Sequence, residues 1–147
     1  MELFYVVLAV IAGACAPTQA GINSQLSVFT KDPALAAFIS FAVGTAGLFL
    51  YALVLRISWP ATQTLLQLPW WMWSGGLLGA FLVAVTIVLV PKLGAATLMG
   101  CMVAGQMLAS LALDHYGIVG YSAHPATIWR LLGVVLVVSG VVMIKRF

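Results

Sequence analysis

Residues 15–25 of the chain read C-A-P-T-Q-A-G-I-N-S-Q, and they place polar side chains in the first long apolar run of the sequence. A helix needs about 20 residues, at ~1.5 Å each, to cross the hydrocarbon layer of a membrane. The apolar run before this stretch is too short by itself. The first membrane span must therefore cover about residues 3–25, and it then contains Pro17, Gln19 and Asn23.

Gln19 and Asn23 are four residues apart, so they lie one turn apart on the same face of a helix. Pro17 removes a backbone hydrogen bond about half a turn earlier. An unsatisfied amide in hydrocarbon costs several kcal/mol, as an order of magnitude, so these side chains must face protein, water or a ligand. We predict that Gln19 and Asn23 bind a substrate and that Pro17 acts as a hinge.

The composition identifies the class of protein. Of the 147 residues, 64% are hydrophobic and 6% are charged, which leaves no polar surface for a soluble domain. We expect an all-α integral membrane protein, in which the net charge of +3 reflects loops beside anionic lipid and not binding of nucleic acid. The charged residues all fall between or beside the apolar runs, and they are Glu2, Lys31, Asp32, Arg56, Lys92, Asp114, Arg130, Lys145 and Arg146.

The chain is predicted to form a single membrane domain over residues 1–147 with five transmembrane helices. Turn-forming residues separate the predicted spans, which cover about 3–25, 33–55, 70–90, 93–113 and 127–144. An odd number of spans puts the two termini on opposite sides of the membrane. A unit of this kind, joined to an inverted copy of itself, gives the inverted repeats of many transporters. The chain is therefore predicted to be half of a transporter.

The distribution of positive charge bears on how the chain inserts. The side of the amino terminus would carry Arg56 and Arg130, whereas the other side would carry Lys31, Lys92, Lys145 and Arg146. This bias is weak and allows insertion in both orientations. We predict an antiparallel homodimer; a parallel dimer and an oppositely oriented homologous partner chain are the alternatives.

Small residues at helical spacing predict where helices approach closely, because lipid supplies no hydrophobic drive for helix association. The third predicted span contains Gly75 and Gly79, and the fifth contains Gly133 and Gly140 seven residues apart. The fifth span is the candidate dimer seam. Ordinary packing within one subunit explains each pattern equally well.

Gln106 is a further polar residue deep in a predicted span. Hydrogen bonds between membrane helices average only ~0.6 kcal/mol, so stability alone weakly explains three buried amides. We therefore group Gln106 with Gln19 and Asn23 as substrate-binding candidates.

No other pattern in the sequence indicates a catalytic, metal-binding or disulfide site. Asp114 and His115 are an adjacent titratable pair, but they fall at the end of a predicted span and are interpreted as surface residues. Cys15 and Cys101 lie within apolar runs, which favours small hydrophobic side chains over a disulfide or a metal site. The sequence has no paired carboxylates, activated nucleophile or phosphate loop, so neither an enzyme nor a cofactor or metal ion is expected.

Three stretches resemble the YdcZ-like family of the drug/metabolite transporter superfamily. They are W-M-W-S-G-G-L-L-G-A at Trp71–Ala80, P-K-L-G-A-A-T at Pro91–Thr97 and G-Q-M-L-A-S-L-A-L-D-H-Y-G at Gly105–Gly117, and the Gln19–Asn23 pair is also similar. The resemblance covers nearly the whole chain. It implies a five-helix half-transporter that works as a dimer in the bacterial inner membrane and moves a small metabolite or cationic compound.

Trp73, Ser74 and Gly75 are also similar to the W-S-G of the small multidrug resistance transporters, in which the Trp lines the substrate chamber. The resemblance implies a substrate-binding role for Trp73. Those transporters couple protons through a Glu in the first helix, but residues 13–19 here contain no carboxylate, so no coupling ion is predicted.

The predicted function is transport of a small polar or cationic metabolite by alternating access. The alternative is a non-transporting membrane subunit that packs with or regulates another complex, in which the polar residues only hold helices together. Neither the substrate nor the direction of transport follows from the sequence.

Overall fold

The computed structural model describes residues 2–147, and these residues form helices and connections with no strand. A short 3₁₀ turn, Trp70–Trp73, precedes the fourth α-helix. The α-helices are α1 (Glu2–Thr30), α2 (Pro33–Val54), α3 (Thr62–Leu66), α4 (Ser74–Leu93), α5 (Ala95–Tyr116) and α6 (Ile128–Arg146).

Five helical segments in the described residues are long and apolar enough to cross a membrane. They are α1, α2, the 3₁₀ turn together with α4, α5 and α6. Their surfaces carry large apolar side chains such as Leu3, which is 75% exposed, and Phe4, which is 66% exposed. A surface of this kind is stable only against lipid or another apolar surface. The prediction of an all-α membrane protein with five spans is confirmed.

The first helix is longer than the sequence predicts, because its end is set by the connection that follows it. Lys31 has a left-handed backbone (φ 59°), and Asp32 is extended. The Asp32 carboxylate accepts a hydrogen bond from the Leu35 backbone N at 2.8 Å, and Pro33 occupies the first position of α2. This cap begins α2. Nothing before Lys31 stops α1, so the helix continues from Gln25 to Thr30.

The chain divides into two compact units. One is Thr18–Pro91, and the other combines the residues up to Pro17 with Lys92–Phe147. Each boundary follows a proline that lies inside a helix, Pro17 in α1 and Pro91 in α4. The single membrane domain expected from the sequence stays a prediction.

Within the unit Thr18–Pro91, the core lies between the amino-terminal part of α2 and the carboxyl-terminal half of α4. It consists of Ala36, Ala37, Val83 and Ile87, with Leu26 of α1 packed against it. Ala36 and Ala37 are small and buried, which lets the helix backbones approach closely. This core positions the segment of α1 after Pro17 beside α2.

Within the other unit, α5 packs against α6. A Cβ atom added to Gly100 would lie 3.0 Å from Cγ2 of Val141, so glycine is what permits this approach. Arg130, in the first turn of α6, ties the two helices at one end. Its Nη2 donates to Oδ2 of Asp114 at 2.7 Å and its Nη1 donates to the His124 carbonyl at 3.2 Å.

Candidate functional site

A groove of about 210 Å³ lies between α1 and α2 in the unit Thr18–Pro91. Gln19 lines it from α1. The residues that line it from α2 recur at helical spacing and therefore form one face of that helix; they are Ser40, Phe41, Gly44, Thr45 and Leu48. The lining contains three side chains that are able to form hydrogen bonds, and it also contains two large apolar side chains.

The groove lies at mid-membrane depth. Ser40 is about 10 Å from the start of α2, and Leu48 is about 9 Å from its end, at the ~1.5 Å rise per residue of an α-helix. Gln19 is likewise near the middle of α1. Both helices are long and apolar enough to cross a membrane, so their middle parts correspond to the middle of the bilayer, the depth at which transporters hold their substrates.

The polar side chains of the groove have no protein partner. Gln19, Ser40 and Thr45 make no side-chain hydrogen bond to any residue in 2–147. Other hydroxyls of the same unit do make such bonds: Ser27 Oγ in α1 donates to the Ser24 carbonyl at 2.8 Å, and Thr86 Oγ1 in α4 donates to the Val83 carbonyl at 2.8 Å. The hydrogen-bonding capacity of the groove is therefore free for a bound molecule.

Asn23 follows Gln19 by one helical turn and is only 3% exposed. Its side-chain Nδ2 is buried and has no hydrogen-bond partner in the described part of the chain. A buried polar group without a partner costs about 1–3 kcal/mol. Because α1 stays helical through Pro17, Gln19 and Asn23 do share one face, as their spacing predicts.

Two other predicted substrate-binding residues lie elsewhere. Trp73 is 59% exposed in the 3₁₀ turn before α4 and does not line the groove. Gln106 is an exposed residue near the middle of α5, in the other unit. A substrate role for Trp73 or Gln106 stays a prediction.

The lining hydroxyls on α2 are the site residues that sequence reasoning missed. The substrate-binding candidates chosen from the sequence included neither Ser40 nor Thr45. The available signal was the recurrence of hydroxyls at positions 40 and 45 on the helix next in sequence to Gln19. It was insufficient because spacing does not say which face of α2 meets α1.

Several polar residues near the connection between α5 and α6 are bonded to one another. Asp114, His124 and Arg130 are joined at the ends of α5 and α6, and the Ala126 backbone N donates to Nδ1 of His115 at 3.1 Å. Within residues 2–147, no three His, Cys, Asp or Glu side chains group as metal ligands do, and both cysteines are free and exposed.

Comparison with known proteins agrees with this architecture. The model of the DMT_YdcZ family, whose description is "Putative inner membrane exporter, YdcZ", matches residues 4–143. Neither a curated protein nor a solved structure matches the chain. The family is one of exporters and not of enzymes. The match includes part or all of every one of the five membrane-spanning segments, so this multi-pass inner membrane protein belongs to the YdcZ family.

Proposed function

We propose that the protein exports a small polar or cationic metabolite by alternating access, and that the groove between α1 and α2 binds this metabolite. The observation that carries the proposal is the set of unpartnered polar side chains at mid-membrane depth. Gln19, Ser40 and Thr45 line the groove without a protein partner among the described residues. The amide nitrogen of Asn23, one helical turn after Gln19, is buried and also lacks a partner there. Polar groups inside a membrane protein commonly mark the path of a substrate.

The size of the groove fits a small solute. Its volume of about 210 Å³ is below the range of roughly 300–1,000 Å³ that is typical of sites for drug-sized ligands. The apolar side chains of Phe41 and Leu48 would cover the carbon atoms of the solute, while the amide and hydroxyl groups would orient it. Few and neutral hydrogen bonds also allow release, which an exporter requires.

The functional unit in this proposal is an antiparallel homodimer, with an oppositely oriented homologue as the alternative partner. Five spans form half of an inverted pair. Two glycines of α6 have free space beside them: a Cβ added to Gly133 or Gly140 would meet nothing within 4 Å among the described residues, and α6 has no buried residue. These two glycines are two turns apart on one face, which suits a second helix at close range.

The proposed hinge is Pro17, and the structure adds Pro91 as a second candidate. Each proline lies inside a helix and lacks the backbone N–H of a normal helical hydrogen bond. Each also marks the point in the chain where one compact unit ends. Bending at these positions would let the groove open alternately to the two sides.

Gln19→Ala tests the proposal directly. Purified protein would be reconstituted into proteoliposomes, and these vesicles would be loaded with an extract of small metabolites. The loss of each compound from the vesicles would be measured by mass spectrometry. We expect Gln19→Ala to slow loss of the transported compound by about tenfold, the effect of one or two lost hydrogen bonds. Gln25→Ala is the matched control, since Gln25 is on the same helix but does not line the groove. Equal transport by Gln19→Ala and the wild type would contradict the proposed site.

A further inference from the structure

We infer that the solute bound in the α1–α2 groove is uncharged and offers both hydrogen-bond acceptors and donors. This inference rests on the proposed function of the groove and narrows its substrate class. Two observations carry it: the position of every charged residue at helix ends or in connections, and the free hydrogen-bonding groups of Gln19, Ser40 and Thr45 in the groove.

Every charged residue in the described chain lies at the end of a long helix or in a connection. The three carboxylates illustrate this. Glu2 is in the first turn of α1, Asp32 caps α2 through its bond to Leu35, and Asp114 is in the last turn of α5, paired with Arg130. The six lysines and arginines follow the same rule. No charge of either sign is therefore available near the groove to replace the hydration of an ionic solute.

A second copy of the chain does not change this conclusion. The partner in a homodimer has the same sequence, so its charges also lie at helix ends, and the midplane of the dimer gains none. An ion at this depth without a counter-charge is strongly disfavoured. The ring of Phe41 is the one aromatic surface in the groove, and a single phenyl face is a weak substitute for the water shell of a cation.

The free groups of the groove define the complementary solute. Asn23 is outside the residues that line the groove, but it lies one helical turn from Gln19 on the same face of α1, and its buried Nδ2 is a donor without an acceptor. The Gln19 amide and the hydroxyls of Ser40 and Thr45 can each donate and accept. Phe41 and Leu48 add an apolar wall. A neutral amide or a hydroxylated compound with an apolar side satisfies all of these groups.

Three probes of nearly identical shape test the charge requirement: benzamide, the benzamidinium cation and the benzoate anion. Their binding to the full chain in lipid nanodiscs would be measured by titration calorimetry at neutral pH, with empty nanodiscs as the blank. We expect benzamide to bind at least about 50-fold more tightly than either ion, given the cost of an unpaired charge at this depth. We also expect Gln19→Ala and Asn23→Leu each to weaken benzamide binding by about 3–10-fold, with Gln25→Ala unchanged.

The outcomes separate this inference from the proposed function. Equal or tighter binding of an ion, lost in Gln19→Ala, would overturn the uncharged class and leave the groove as the binding site. Benzamide binding that is the same in Gln19→Ala, Asn23→Leu and the wild type would place the site elsewhere, and the proposed function would fail with it. If none of the three probes binds at millimolar concentration, the inference that the groove takes a neutral amide as its solute is overturned.

Discussion

At the residue scale, Asn23 differs from the other buried polar side chains of the protein. Thr86 is also buried, but its hydroxyl donates to the carbonyl of Val83 in its own helix. The side-chain Nδ2 of Asn23 has no acceptor among residues 2–147, either in its own helix or in another. A protein selected for stability alone would hold an apolar residue at this position.

We therefore predict that Asn23→Leu raises thermal stability while it slows transport. Leucine has the same branched shape and the same number of side-chain heavy atoms as asparagine, and the change removes an unsatisfied donor that costs about 1–3 kcal/mol. Thermal unfolding of the purified protein would show a higher midpoint. The matched control is Thr86→Val, which deletes a satisfied bond and should lower stability by about 1 kcal/mol.

The same variant separates transport from a purely structural role. In a non-transporting subunit, Asn23 would hold helices together, and Asn23→Leu would lower the unfolding midpoint or loosen the assembly. A destabilised variant would therefore count against the substrate-binding role of Asn23.

At the scale of elements, close helix contacts depend on which residue faces the neighbouring helix and not on glycine spacing alone. Gly75 and Gly79 were predicted to pack, but only Gly79 has a neighbour: a Cβ there would lie 3.5 Å from Cζ of Phe41. Gly100, which the spacing argument did not select, has the tightest contact with another helix, against Val141. A single glycine opposite a β-branched side chain makes this contact without any repeated motif.

Gly100→Ala is expected to weaken the packing of α5 on α6. The new methyl group would lie 3.0 Å from Cγ2 and 3.3 Å from Cγ1 of Val141, which is a stiff side chain. Overpacking of this kind costs about 1–3 kcal/mol, measured as a lower unfolding midpoint or lower resistance to detergent.

A double-mutant cycle checks the cause. Val141→Ala in the Gly100→Ala background should recover most of the loss, because it removes both methyl groups that clash. Gly105→Ala is the control on the same helix, since a Cβ there has nothing within 4 Å. An equal effect of Gly105→Ala and Gly100→Ala would show that helix flexibility, and not the contact, is responsible.

At the scale of the whole molecule, one chain leaves most of its apolar surface uncovered, and only part of that surface has to face lipid. The open glycines of α6 are the candidate site for a second copy. Gly133→Leu combined with Gly140→Leu should leave the monomer folded, because a Cβ added at either position meets nothing within 4 Å in the described part of the chain. The double variant should shift the protein from dimer to monomer in light scattering of the detergent-solubilised sample. A dimer that is unchanged would place the seam on another helix.

Orientation in the membrane is the second prediction at this scale. A single Cys added after Phe147, with Cys15 and Cys101 replaced, would be treated with a membrane-impermeant reagent in sealed vesicles of one orientation. The weak charge bias predicts labelling of about half of the protein, as expected for dual insertion. Labelling from one side only would remove the antiparallel homodimer and leave a parallel dimer or an oppositely oriented partner chain.

Local properties of the sequence were sufficient for much of this protein. Hydropathy and charge position predicted the membrane class and the five spans, because crossing the hydrocarbon requires a long apolar run whatever its neighbours are. The turn residues between the first two spans also predicted that the second span begins at about residue 33, where α2 does begin. Helical periodicity also placed Gln19 and Asn23 on one face, since it depends only on the helix that contains them.

Contacts between helices were decided by the tertiary structure. It brought Ser40 and Thr45 beside Gln19, left Nδ2 of Asn23 without an acceptor, kept Trp73 out of the groove and selected Gly100 for the α5–α6 contact. The physical reason is that lipid is as apolar as the helix surfaces, so hydropathy does not tell one face of a span from another. Which faces meet depends on the fit of several helices at once, and that fit determines where the groove lies and what it can bind.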